Sequence, residues 1–258
     1  MVEQSFINAF SLEGNIAVIT GAATGLGNAM AKCLTSAGAK VIVVGIESEE
    51  ILKKACEDIG NDAGYYQFNV TDTDHSEELV KRIIEDHGKI DILINNAGIH
   101  CKKPVEDTSI NDFNRVLDVH LVGAFALTKA VIPSMRSNKS GNIIFISSMS
   151  AFFGLTSVTA YSAAKSAVLG LTRSIASEVS CDNVRVNAIA PGFIDSIMFR
   201  KAVEGDEDRQ NKILGRTPMN KYGDAMDIGW AAVYLCSPAA SFVTGTCLAV
   251  DGGCLIGF

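Results

Sequence analysis

Short β-branched runs alternate with longer stretches rich in Ala and Leu along these 258 residues, and the alternation repeats. Residues 16–19, 40–44, 65–70, 90–94, 142–146, 183–190 and 246–250 read as seven strands. Those at 16–19, 40–44 and 142–146 are nearly unbroken apolar runs, the pattern of strands covered on both faces of a parallel sheet. Between them, 28–34, 74–87, 108–136, 160–179 and 224–235 space their apolar residues as helices do. Strand–helix alternation of this kind predicts an α/β fold: one doubly wound domain over residues 1–258, with a seven-stranded parallel sheet and helices on both faces. Residues 193–216 break the rhythm. Apolar Phe193, Ile194, Ile197, Met198 and Phe199 precede a charged run from Glu204 to Arg209, which reads as a lid over a site or a surface excursion.

The first run ends in Thr20-Gly21-Ala-Ala-Thr24-Gly25-Leu26-Gly27 and passes directly into a helical pattern. Strand, glycine-rich turn and helix start are the context of a dinucleotide site. The glycines let backbone approach a pyrophosphate, and the helix start offers it free N–H groups. The second strand leads to Gly45-Ile46-Glu47. Glu47, 20 residues past Gly27, is placed to accept hydrogen bonds from a ribose or belongs to the next helix. Glu47, Glu49 and Glu50 would repel a 2′-phosphate and no base stands at 45–50, which tilts the cofactor toward NAD, with NADP possible. Asn69-Val70 end the third strand where an adenine would lie. Asn95-Asn96-Ala97-Gly98 end the fourth, small enough for close packing.

A third cluster carries reactive groups. Ser148 follows the strand at 142–146, on the edge where open parallel sheets bind ligands. Tyr161 and Lys165 are four apart on the next helix, so they leave the same face about 5–6 Å apart at Cβ. A tyrosine serving as a base near neutrality needs its pKa lowered by roughly 3 units, or about 4 kcal/mol. One ammonium at about 4 Å supplies a comparable amount at an effective dielectric constant near 20. His100, Lys102 and Lys103, after the fourth strand, either meet a substrate carboxylate or form an exposed loop.

Composition narrows the setting. A net charge of −7 disfavours a phosphate-backbone binder, so no nucleic-acid partner is expected. No segment approaches the roughly 20 apolar residues of a membrane span, and Met-Val-Glu-Gln-Ser lacks the start of a signal peptide. Seven scattered cysteines without a C-x-x-C fit a reduced cytoplasmic protein, and no metal site is expected.

Thr20-Gly-x-x-x-Gly-x-Gly27, Asn95-Asn-Ala-Gly98, Ser148, Tyr161-x-x-x-Lys165, Pro191-Gly192 and Asp251-Gly-Gly together resemble the short-chain dehydrogenase/reductase family, from about Leu12 to Gly253. The resemblance implies a single Rossmann domain, a nicotinamide cofactor, and hydride transfer at a carbon bearing oxygen. It makes Tyr161 the general acid/base, with Lys165 lowering its pKa and binding the nicotinamide ribose. Ser148 would hold the substrate oxygen. Gly21, Thr24, Gly25, Leu26, Gly27, Ile46, Glu47, Asn69, Val70, Asn96, Ala97, Gly98, Tyr161, Lys165, Pro191, Gly192, Ile194 and Ser196 would line the cofactor. Where the family commonly carries Asn in its proton relay, this chain has His120, which either relays a proton or bonds a backbone carbonyl. The segment at 6–14 and Arg216-Thr-Pro-Met-Asn look similar to sugar-acid and polyol members. Phe152, Phe153, Leu155, Phe193 and Met198 could instead wall an apolar pocket. A 3-oxoacyl-carrier-protein reductase using NADPH is the alternative enzyme, and a catalytically silent nucleotide sensor the alternative from another class. The resemblance also implies a homotetramer built through the 108–136 and 160–179 helices, with the tail 254–258 as a further contact.

Overall fold

In a computed structural model that describes residues 2–60, 62–196, 199–200 and 204–257, seven parallel strands form one sheet in the order β3-β2-β1-β4-β5-β6-β7. The strands are β1 (Ile16–Thr20), β2 (Lys40–Gly45), β3 (Gly64–Gln67), β4 (Ile92–Asn95), β5 (Gly141–Ile146), β6 (Val184–Pro191) and β7 (Cys247–Val250). Successive side chains of a strand point to opposite faces, and here both faces are buried. Ala17 and Ile19 of β1, with Val41 and Val43 of β2, enter one core; Val18, Ile42 and Val44 enter the other. The first core is closed by α2 (Gly25–Ser36), α3 (Glu49–Ile59) and α9 (Ala225–Cys236). The second is closed by α4 (Ser76–His87), α6 (Ala124–Ser137) and α7 (Thr159–Val179). Fully burying each large aliphatic side chain contributes about 1.5–3 kcal/mol, so both layers are needed to offset chain entropy.

β1 pairs with β2 on one side and with β4 on the other. Chain order reverses there, and the carboxyl edge of the sheet opens into a crevice. Every loop carrying a predicted site residue leaves from that edge.

Five expectations change. The third strand stops at Gln67 rather than Val70, because Asn69 Oδ1 accepts the Thr71 N–H at 3.1 Å and closes a turn. An amphipathic helix α1 (Val2–Phe10) precedes the sheet. Residues 193–216 contain a regular helix, α8 (Glu207–Arg216), started by Asp206 accepting the Arg209 N–H; Ile197 and Met198 lie outside the described residues. The helix at 108–136 is α5 (Ile110–Leu117) and α6 joined by a π-helical turn over Asp118–Gly123. That run, Ile110–Ser137, is long and apolar enough by composition to cross a bilayer, contrary to expectation. Its inner face, with Val116, Leu127, Val131 and Met135, is packed into the domain.

Candidate active site

The glycine turn is held from beneath by the residues that follow β4. Thr20 Oγ1 accepts the N–H groups of Asn96 at 3.0 Å and Ala97 at 2.9 Å. Asn96 Nδ2 donates to the carbonyls of Thr20 at 2.9 Å and Gly21 at 3.0 Å. Asn95 Nδ2 donates to Thr128 Oγ1 at 3.0 Å, which ties the same loop to α6. Asn96 thus spends its amide on the turn and shapes the cleft through the backbone. A Cβ on Gly27 would run into the Gly21 carbonyl and the Asn96 amide. Gly25, at φ +61°, has open space where a Cβ would stand. Thr24 caps α2 without a side-chain bond, so the first N–H groups of that helix face the crevice.

Opposite the turn lies the reactive cluster. Ser148, in extended conformation after β5, accepts the Ser150 N–H at 3.1 Å, which fixes its hydroxyl beside the Tyr161 phenol. Lys165 is 4% exposed; its Nζ donates to the Ile146 carbonyl at 2.6 Å and stands 5.5 Å from the centre of the Tyr161 ring. Ser147 Oγ donates to the Lys165 carbonyl at 2.9 Å and pins α7 to β5.

Electrostatics here run against the expectation that Lys165 acidifies Tyr161. Burial pushes the Tyr161 phenol upward, with the Ser148 bond as the opposing influence. Burial also pushes the Lys165 amine down to about 7. A full charge 5.5 Å away would be worth roughly 3 kcal/mol at an effective dielectric constant of 20. A lysine half-discharged at neutral pH delivers only part of that. The resting phenol is protonated.

His120 sits on the π turn, 5% exposed, with its ring edge-on to Tyr161 at 5.3 Å between centroids. Nε2 lies 2.8 Å from the Ile99 carbonyl oxygen and 3.0 Å from the Ile99 nitrogen. In either tautomer Nδ1 is buried without a partner. Burial, then Lys165, lower its pKa to about 3, so the ring is neutral. Gly98 packs against this imidazole, and any Cβ there would strike His120 Cε1.

The remaining predicted residues spread along the same edge. Ile46 is exposed at the end of β2, and Glu47 folds back over Gly45 with Oε2 buried and unpartnered. Val70 is buried, its carbonyl against Gly123 of the π turn, while Asn69 is exposed. Pro191 and Gly192 abut the closing Asp251 turn, whose carboxylate accepts the N–H groups of Gly253 and Leu255. Ile194 bridges to Gly223, and Ser196 Oγ accepts the Phe199 N–H at 3.1 Å. Leu26 packs its side chain against the core beneath the turn. Of the basic trio after β4, Lys103 is spent on Asp112 at 2.7 Å and only His100 reaches the cluster. Thr20, Thr128, Ser147 and Asp251 were not anticipated as supports. Hydroxyls beside glycine and amide turns are the signal that could have found Thr20 and Ser147.

This architecture fits a dinucleotide. Free helix N–H groups and open backbone at Gly25 suit a pyrophosphate. The orphaned Glu47 oxygen at the end of β2 suits a ribose hydroxyl.

A family model described as enoyl-(acyl carrier protein) reductase matches residues 21–254. A 2-dehydro-3-deoxy-D-gluconate 5-dehydrogenase of Formosa agariphila is 39% identical over 252 residues, 96% of this chain and 96% of its own length. A 3-oxoacyl-[acyl-carrier-protein] reductase of Thermotoga maritima is 36% identical over 247 residues, 95% of this chain and 99% of its own. Among solved structures, a gluconate 5-dehydrogenase from Burkholderia cenocepacia in complex with NADP and tartrate is similar with a TM-score of 0.93. It is 30% identical and the match covers 98% of this chain and 100% of that one.

Proposed function

Because the chain belongs to the short-chain dehydrogenase/reductase family, we propose that it is an NAD(P)-dependent oxidoreductase interconverting a secondary alcohol and a ketone of a sugar acid or polyol. The juxtaposition of Ser148, Tyr161 and Lys165 at the carboxyl edge carries the chemistry of this reading. The sugar-acid assignment draws on the Formosa relative and on the Burkholderia enzyme, whose tartrate is itself a hydroxy acid.

A nicotinamide held in the crevice would supply the hydride for the ketone carbon or take one from the alcohol carbon. Ser148 donates to the substrate oxygen and sets it beside the phenol. Tyr161, protonated at rest, gives its proton to that oxygen in reduction and recovers one from the alcohol in oxidation. Lys165 holds the nicotinamide ribose and, when charged, favours the phenolate. His120, held neutral, would position a relaying water through its unpartnered Nδ1. A neutral imidazole can both accept and donate. Gly21, Thr24, Gly25, Leu26 and Gly27 cradle the pyrophosphate. Ile46, Asn69, Val70, Ala97 and Gly98 wall the adenosine and its approach, and Pro191, Gly192, Ile194 and Ser196 flank the nicotinamide. Glu47 favours NAD by accepting from ribose hydroxyls and repelling a 2′-phosphate.

Residues 193–216 act as a lid, supported by the bidentate Arg200–Asp195 pair at its start and by Arg216, whose guanidinium lies 4.1 Å over the Phe153 ring. Exposed Ile110, Val122 and Phe125 support a homotetramer packed through α5, α6 and α7. Exposed Ile256 supports a contact by the tail, whose Phe258 lies outside the described residues. Seven free cysteines suit a reducing, cytoplasmic setting. The second reading, a 3-oxoacyl-carrier-protein reductase, is favoured by the exposed Phe152 and Leu155 in the loop after Ser148 and by the Thermotoga relative. The purified enzyme, assayed with sugar acids, polyols and 3-oxoacyl thioesters against both cofactors, should show its highest kcat/KM with a sugar acid or polyol and NAD. A higher value with a thioester and NADPH would establish the second reading.

A further inference from the structure

The loop after β4 holds one side chain that the chemistry above does not use. Ile99 holds His120 Nε2 through its N–H or its carbonyl, according to the tautomer. Cys101 is buried in a small cluster with Val116, Ala160 and Ala164. Lys103 is fixed twice, its N–H donating to the Ser157 carbonyl at 2.9 Å and its amine to Asp112. With 99 and 101 facing inward and 103 anchored, His100 has one direction left. Its ring lies over Tyr161, 5.8 Å between centroids and tilted by 26°. Neither ring nitrogen bonds any other described residue. The imidazole is therefore set in place by backbone it does not itself bond, with its polar edge free beside the phenol that meets the substrate.

We propose that His100 is a specificity-determining residue that hydrogen-bonds the hydroxyl on the carbon next to the reacting one, selecting vicinal diols and α-hydroxyketones. The proposal rests on the oxidoreductase reading and deepens it. A ligand oxygen held by Ser148 and Tyr161 brings its neighbouring carbon toward the ring stacked on that tyrosine. Burial, and then the Lys165 amine, both disfavour a charge on His100, so it stays neutral. A neutral imidazole offers one N–H and one lone pair, a match for a hydroxyl that both donates and accepts. To a carboxylate, one of the two sequence expectations for this residue, it could offer a single N–H and no charge. A 3-oxoacyl chain carries only CH₂ beside its reacting carbonyl and gains nothing from it.

The test compares a sugar-acid or polyol substrate with its analogue deoxygenated at the adjacent carbon, in wild type, His100→Phe, His100→Gln and Tyr161→Phe. His100→Phe keeps the stacked ring and removes the polar edge; His100→Gln keeps a donor and an acceptor. Wild type should prefer the hydroxylated substrate about tenfold or more, the scale of one well-placed hydrogen bond. His100→Phe should raise KM for that substrate by a similar factor with kcat little changed, leave the deoxy analogue as it was, and see the preference largely restored in His100→Gln. Equal effects on both substrates, or none, would overturn the role of His100 while Tyr161→Phe still abolishes turnover. Full turnover in Tyr161→Phe, or no turnover of any alcohol or ketone by wild type, would overturn the oxidoreductase reading and this inference with it.

Discussion

The glycine turn and the Tyr161 cluster face each other across one crevice and are built on opposite principles. In the turn the backbone is largely paired beneath the open helix start. Thr20 accepts two N–H groups, Asn96 donates to two carbonyls, and the loops after β1 and β4 lock together. In the cluster, costs are left standing: a buried amine with a depressed pKa, a phenol pushed upward, and an imidazole nitrogen with no partner. The difference teaches that the binding half is stabilised by its own hydrogen bonds, whereas the catalytic half is held against its preferences by the surrounding core. Of these three groups only the Lys165 amine is moved toward neutrality, where it can exchange a proton; burial keeps the phenol and the imidazole in their neutral forms.

The contrast can be broken most sharply at Gly27. Gly27→Val would push side-chain carbons into the Gly21 carbonyl and the Asn96 amide, undoing the lock. Thermal and urea unfolding should show a loss of about 2–4 kcal/mol, with cofactor affinity reduced at least tenfold. A stable variant with normal affinity would show that the turn is not close-packed.

Catalytic-half variants should behave in the opposite sense. Between pH 7 and 10.5 the unfolded chain keeps the Lys165 proton while the folded one has released it, so stability contributed at this site rises with pH. Unfolding free energies of the cofactor-free enzyme should climb about 2 kcal/mol more from pH 7 to 9 in wild type than in Lys165→Met. For His120 the window is lower. Between pH 6.5 and 3 only the unfolded chain binds the proton, and stability falls as the pH drops. His120→Asn should remove about 1–2 kcal/mol of that loss between pH 6.5 and 5. Curves parallel to wild type in both variants would mean these groups are not electrostatically strained.

Much of this was readable beforehand, for reasons that differ between the halves. Strands 16–19, 40–44 and 142–146 were legible because both faces are buried and their apolar runs are unbroken. The glycine turn was legible because steric need leaves a spacing in sequence. Tyr161 and Lys165 were legible as neighbours, since i and i+4 share a helix face. Their protonation states were not, because burial is a property of the packed domain. The π turn at Asp118–Gly123 escaped because one extra residue per turn erases the helical period, and it is this turn that aims His120 at Gly98 and Tyr161. His100 was legible only as a polar residue in a loop; its place over Tyr161 follows from how Ile99, Cys101 and Lys103 are anchored.

The central claim is that the Tyr161 hydroxyl moves the proton that accompanies hydride transfer. The most direct measurement is kcat for Tyr161→Phe beside its cofactor dissociation constant, on protein whose melting temperature matches wild type. The account predicts a loss of about a thousandfold or more in kcat with cofactor affinity changed by no more than about twofold. A variant that turns over at the wild-type rate would contradict it.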